Sequence, residues 1–106
     1  MIATMDDKGL YAGLMRLHIL HHAAEQVVCG VWVMEELRRH GYEISPGTLY
    51  PMLHGLERKG YLQSSKERVG KTMRRLYSIT SEGRSALSEA KEKVRELYGE
   101  LIVAPQ

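Results

Sequence analysis

Tyr50, His54 and Arg58 recur at intervals of four residues. At about 100° per residue they share one face of a helix, while Leu49, Met52, Leu53 and Leu56 fall on the opposite face. An aromatic ring, an imidazole and a guanidinium in one stripe, with Thr48 a turn earlier, supply groups for base edges and phosphates in a DNA major groove. The same stripe suits an ordinary solvated helix face, so the neighbouring segments must decide. A second group is His18 and His22, whose i, i+4 spacing lets two imidazoles reach one metal ion. Glu25 is the only other ligand type evident beside them. They are therefore expected to be surface or interface histidines with some pH sensitivity near neutrality; no metal and no other cofactor is expected. Trp32 stands apart. On a helix it projects away from Val33, Met34 and Leu37, which asks for a partner chain, a ligand or a fold-back contact within its own subunit.

The elements that must position these groups are legible. Ser45 is a good N-cap with Pro46 in the first turn, and Gly60 is a good stop, with Lys59 beside the negative end of the helix dipole. Pro51 removes the bond to the Gly47 carbonyl if the helix starts at Ser45, so a loosened first turn is expected there. Upstream, residues 29–40 read as a helix ended by Gly41. Helix, four-residue connection, helix is the spacing of a helix-turn-helix. Residues 9–25 read as an earlier helix with Leu10, Leu14 and Leu17 on one face and Met15 and Ile19 widening the stripe; residues 26–30 read as the turn between the two.

After Gly60 the period changes. Residues 61–68 and 72–79 read as two strands joined at Val69-Gly70-Lys71. Arg68, Lys71, Arg74 and Arg75 would gather towards the tip of this hairpin. A basic hairpin directly after a recognition-type helix is a wing, able to reach phosphates or a minor groove; an edge hairpin that uses charge against aggregation is the plainer alternative. Thr80 or Ser81 then caps a long helix to about residue 103. Leu87, Ala90, Val94, Leu97 and Leu101 step by 3, 4, 3, 4, with Tyr98 alongside, the spacing of a coiled-coil seam. With no later element to cover it, this seam is expected to meet another chain, together with Leu10, Leu14 and Leu17 of the first helix.

Bulk properties narrow the class. The sequence has 106 residues and one cysteine, Cys29, which gives neither an internal disulfide nor a cysteine metal cluster. Asp6 and Asp7 are wrong for a signal peptide, and no apolar run approaches membrane-span length, so a cytoplasmic protein without a membrane partner is expected. The net charge of +2 is unevenly spread: residues 58–84 carry eight basic side chains against two acids. A local basic patch is the footprint of a phosphate-binding surface. An enzyme is the weakest reading, because no nucleophile–base–orienter set and no glycine-rich phosphate loop is present.

The residues themselves carry a resemblance. Gly47-Thr48-Leu49-Tyr50-Pro51, Leu53, Leu56-Glu57 and Gly60, followed by Tyr77, Ile79-Thr80 and Gly83, make the chain resemble the PadR family of bacterial transcriptional regulators. Cys29 departs from the family pattern, which usually has tyrosine there, and Trp32 stands where a polar residue is usual; both put ligand specificity in doubt. The resemblance implies a mainly α fold with a small β-hairpin, a winged helix-turn-helix over residues 9–80 and a single dimerisation helix over residues 81–106; residues 1–8, which lack periodicity, are expected to be a disordered tail. It implies a homodimeric regulator, a repressor in the first instance, binding double-stranded DNA at a pseudo-palindromic operator. Ser45, Thr48, Tyr50, His54 and Arg58 would serve the recognition helix and Lys71, Arg74 and Arg75 the wing. Leu10, Leu14, Leu17, Leu87, Ala90, Val94, Leu97, Tyr98 and Leu101 would form the dimer interface. A small aromatic or hydrophobic effector would bind near it, with Trp32 as a candidate contact. The alternative is a winged-helix module that turns the same basic surface to an acidic protein.

Overall fold

The computed structural model describes residues 7–103 and 105. Its elements run α1 (Lys8–Glu25), β1 (Val28–Cys29), α2 (Gly30–Arg39), α3 (Pro46–Arg58), β2 (Leu62–Val69), β3 (Thr72–Ile79) and α4 (Ser81–Tyr98), the last continued by a π-helical turn over Gly99–Val103. Among the described residues no helix is long and apolar enough to cross a membrane. The Asp7 carboxylate accepts a hydrogen bond from the Leu10 amide at 3.2 Å and so caps α1. The helix thus starts inside the expected tail of residues 1–8; positions 1–6 of that tail lie outside the described residues.

The hairpin forms with strands of eight residues and a two-residue turn at Gly70-Lys71, in the register Leu62↔Ile79 to Val69↔Thr72. The Thr72 hydroxyl donates to the Val69 carbonyl across the turn at 2.9 Å. The sheet is larger than the expected hairpin. Val28 and Cys29, which read from sequence as part of a turn, pair antiparallel with Tyr77 and Leu76, giving the order β1-β3-β2. Two residues are too few to show strand alternation, and their hydrogen-bonding partner lies far along the chain. This strand ties the entrance of α2 to the base of the wing.

The core draws on every helix and on the base of the sheet. Met15, Ile19, Leu20 and Ala23 of α1 meet Val33 and Leu37 of α2, the four-residue apolar face of α3, and Leu62, Tyr77 and Ile79 of the sheet. The α3 face is buried as its periodicity predicts: Leu49, Met52, Leu53 and Leu56 are all in the core. In α1 the two apolar sides separate. The Met15–Ile19 side is buried, whereas Leu10 is 64% and Leu14 45% exposed. A helix apolar over so much of its circumference can bury only one side against a small core. Gly41 and Gly60 take positive φ just past α2 and α3, as helix stops do.

Thr80 starts α4. Its hydroxyl accepts from the Gly83 amide at 2.9 Å and donates to the Gly60 carbonyl, which joins the caps of two helices through one side chain. Gly83 lies so close to the Tyr61 carbonyl that a Cβ would come within 2.1 Å of that oxygen. The helix then packs on α1 through Leu87, which is buried in its own subunit's core and is not a free interface residue as expected from the seam. Leu17 and Ala90 are half-buried. Beyond Ala90 the helix leaves the core, and Val94, Leu97, Tyr98 and Leu101 are exposed, Leu101 by 66%. The radius of gyration is 15.2 Å, above the value of about 13 Å for a compact chain of this length.

Candidate nucleic-acid interface

The second helix of the helix-turn-helix, α3, is set by its connection to α2. The Arg38 guanidinium donates to the Ile44 carbonyl at 3.1 Å, and Ile44 itself is buried, so the loop is fastened before the helix begins. Ser45 occupies the N-cap position with extended backbone, but its hydroxyl makes no cap hydrogen bond. The first turn is instead closed by the Ser45 carbonyl, which accepts from the amides of Thr48 at 3.0 Å and Leu49 at 2.9 Å. The Ser45 hydroxyl is left exposed at a positive helix end, a suitable place for a phosphate. Pro51 lies inside the helix, which runs on through it to Arg58.

The Tyr50–His54–Arg58 stripe divides. His54 and Arg58 are exposed, while Tyr50 is half-buried and packs on the core. The cause is Gly30, the first residue of α2. A Cβ there would meet the Tyr50 ring at 2.7 Å and its hydroxyl at 2.6 Å, so the ring occupies the space that a side chain at position 30 would need. Tyr50 thus joins α3 to α2 and presents only part of itself outward. Thr48 is also half-buried. Arg58 borders a groove between α1, α3 and α4 that is also lined by Arg16, Pro51 and Lys59.

The wing's cations do not form one cluster. Residues opposite each other on antiparallel strands share a face. Glu67 opposes Arg74, and the two pair at 2.8 Å; the Glu67 carboxylate raises the pKa of the guanidinium and takes up its charge. Arg75 is on the other face, opposite Lys66, and by the two-residue period Arg68 joins them. This is the face that carries Leu62, Tyr77 and Ile79 at its base, so it looks towards the helices. Arg68 is among the cations expected at the hairpin tip, whereas Lys66 is not; strand alternation is the signal that puts both on the Arg75 face. Lys71 is exposed in the turn. Among the described residues Arg58, Lys59, Lys66, Arg68 and Lys71 make no salt bridge.

One relay joins the wing to α3. The Ser64 hydroxyl donates to the Glu57 carboxylate at 2.6 Å and accepts from the Arg75 guanidinium at 3.0 Å. Behind it, burial raises the pKa of the Tyr77 phenol, whose oxygen is buried without a hydrogen-bond partner among the described residues. Trp32 makes a fold-back contact. Its ring meets His22 of α1 edge-on at 5.4 Å and is half-buried, and it also lines a surface pocket of about 590 Å³ with Cys29, Tyr50, Met73 and Arg74.

Known proteins share this architecture. Residues 19–89 match the family described as the transcriptional regulator PadR-like family. A Mycobacterium tuberculosis protein named transcriptional regulator Rv3488 is 51% identical over 88 residues, 83% of this chain and 82% of that protein. The transcriptional activator GvpE of Haloferax mediterranei is 34% identical over 64 residues, which span only 33% of that protein. Among solved structures, a PadR family transcriptional regulator from Eggerthella lenta superposes with a TM-score of 0.79 at 28% identity, covering 92% of this chain and 88% of that one. A transcriptional regulator from Clostridium thermocellum gives 0.77 at 28% identity, covering 89% and 94%.

Proposed function

The chain belongs to the PadR-like family of transcriptional regulators, and from that premise we propose that it is a cytoplasmic repressor that binds a pseudo-palindromic operator as a homodimer. The observation that carries the reading is the unpaired cationic surface: Arg58 stands exposed on α3 beside the exposed His54 ring, while Lys66, Arg68 and Lys71 extend along the wing, these cations making no salt bridge among the described residues. Phosphates are the partners that such cations lack. In this reading α3 enters the major groove with Thr48, His54 and the outer edge of Tyr50. Ser45 and the first-turn amides meet a phosphate, Arg58 sits at the groove's rim, and Arg75 and Lys71 hold the wing on the backbone with Lys66 and Arg68. Arg74 contributes less, since Glu67 already neutralises it.

Dimerisation would use the exposed rows of α1 and α4. Leu10, Leu14, Val94, Leu97, Tyr98 and Leu101 are large apolar residues left uncovered by their own subunit. Two-fold symmetry would then place two copies of α3 about one helical turn of DNA apart. A small aromatic or hydrophobic effector would act by changing that separation, and the pocket beside Trp32 is a place for it.

The experiment is fluorescence anisotropy with the DNA upstream of the protein's own reading frame, followed by footprinting. Tight, salt-sensitive binding that protects an inverted repeat is the expected result. Affinity that is weak and equal for any sequence, alongside tight binding to an acidic protein, would favour the protein-interaction module instead. A promoter reporter then separates repression from activation.

A further inference from the structure

We propose that His18, His22, His40 and Glu36 form a binding site for a divalent transition-metal ion of the zinc, nickel and cobalt class. The sequence presents only the pair on α1. The fold brings to it the residue that ends α2, His40, and a carboxylate one turn earlier, Glu36. The Nε2 atoms of His22 and His40 lie 3.5 and 3.3 Å from the same Glu36 oxygen. Ligand atoms on a tetrahedral ion with bonds of about 2.0–2.1 Å are separated by about 3.4 Å. Both nitrogens already stand at that spacing from the shared Glu36 oxygen.

His18 completes the set. Its ring stacks on His40 at 4.5 Å between centroids, and ligand nitrogens of His18, His22 and His40 all lie within 4.8 Å of one another. His22 Nε2 is buried and makes no hydrogen bond among the described residues, so it holds a lone pair or a proton with nowhere to go. The Glu36 side chain is only 11% exposed. The Arg39 guanidinium donates to its two oxygens at 3.1 and 3.2 Å and so orients the carboxylate from outside. Three imidazoles and one carboxylate suit the borderline metals and not magnesium or calcium, which prefer all-oxygen sites.

A second trio, His21, His22 and Glu25, shares one member with this set. It is the weaker candidate because Glu25 is 61% exposed and His21 is also open to solvent. No residue of α3 or the wing takes part in the proposed site, so metal binding stands or falls apart from DNA binding. An ion here would fasten α1 to the end of α2, next to the connection that sets α3.

The test uses untagged full-length chain, zinc in equilibrium dialysis and cobalt in visible absorption. One ion per chain is expected, with intense cobalt bands of a four-coordinate site. Zinc at a hundred times its Kd should raise the thermal midpoint by roughly 10 °C. His18→Gln and His40→Gln should each weaken binding by about tenfold or more with unchanged circular dichroism, since His40 is exposed at the helix end. His21→Gln should bind as the parent does. The proposal is overturned by sub-stoichiometric zinc, by undiminished binding in His40→Gln, or by loss of binding in His21→Gln.

Discussion

Glu57 and Arg75 are joined through a single hydroxyl, that of Ser64, which donates to the carboxylate at 2.6 Å and accepts from the guanidinium at 3.0 Å. The first sits at the end of α3 and the second on β3, so this bridge fixes the angle between recognition helix and wing. Arg75 is held by it in an orientation on the helix side of the sheet. Ser64→Ala should lower stability by about 1 kcal/mol, the worth of a partly exposed polar bridge, in urea unfolding. It should also weaken DNA binding while leaving the salt slope unchanged, because no cation is removed. A flattened slope in Ser64→Ala would mean that Arg75 reaches phosphate only when Ser64 holds it.

Opposite faces of the wing should differ in their contribution to salt dependence. Removing one cation that neutralises a phosphate reduces the slope of log K against log salt by about 0.9. Lys66→Ala with Arg68→Ala should therefore flatten the slope by close to twice that amount. Arg74→Ala should change it little, since Glu67 pairs with Arg74 at 2.8 Å. Anisotropy titrations across a salt series measure both, and an equal effect from Arg74→Ala would reverse this assignment of faces.

The exposed end of α4 should control assembly. Leu97 is 46% and Leu101 66% exposed in the single chain, so a charge at either position costs the folded subunit little. In an interface it would bury an unpaired carboxylate. Leu97→Glu with Leu101→Glu should shift sedimentation velocity from two chains to one, with helical circular dichroism retained. Unchanged assembly in the double variant would move the interface elsewhere.

The close approach of Gly30 and Tyr50 predicts a coupled pair. Gly30→Ala places a methyl group within 2.7 Å of the Tyr50 ring, and overpacking of this kind costs about 1–3 kcal/mol. In a Tyr50→Ala background the same substitution should cost almost nothing. A double-mutant cycle in urea reads the coupling; additive costs would show that the ring is not what fills the space above Gly30.

Local grammar carries much of this architecture. Pro46 and Gly60 bracket α3, its 3.6-residue apolar period is buried as its spacing predicts, and the change to strand content after Gly60 marks the wing. These signals act between residues close in the chain, so a sequence can state them alone. The family motif around Gly47–Pro51 and Ile79–Gly83 is of the same kind, and the match over residues 19–89 agrees with it. What the tertiary structure decided depends on separations the sequence cannot weigh. Val28–Cys29 became a strand only because β3 offered an open edge, and Leu87 left the seam for the core because α1 stood beside it. Tyr50 turned inward because Gly30 left room, and Glu36 and His40 reached His18 and His22 because α2 folds back across α1. In each case the side chain's chemistry was legible, while its neighbour was fixed by long-range packing.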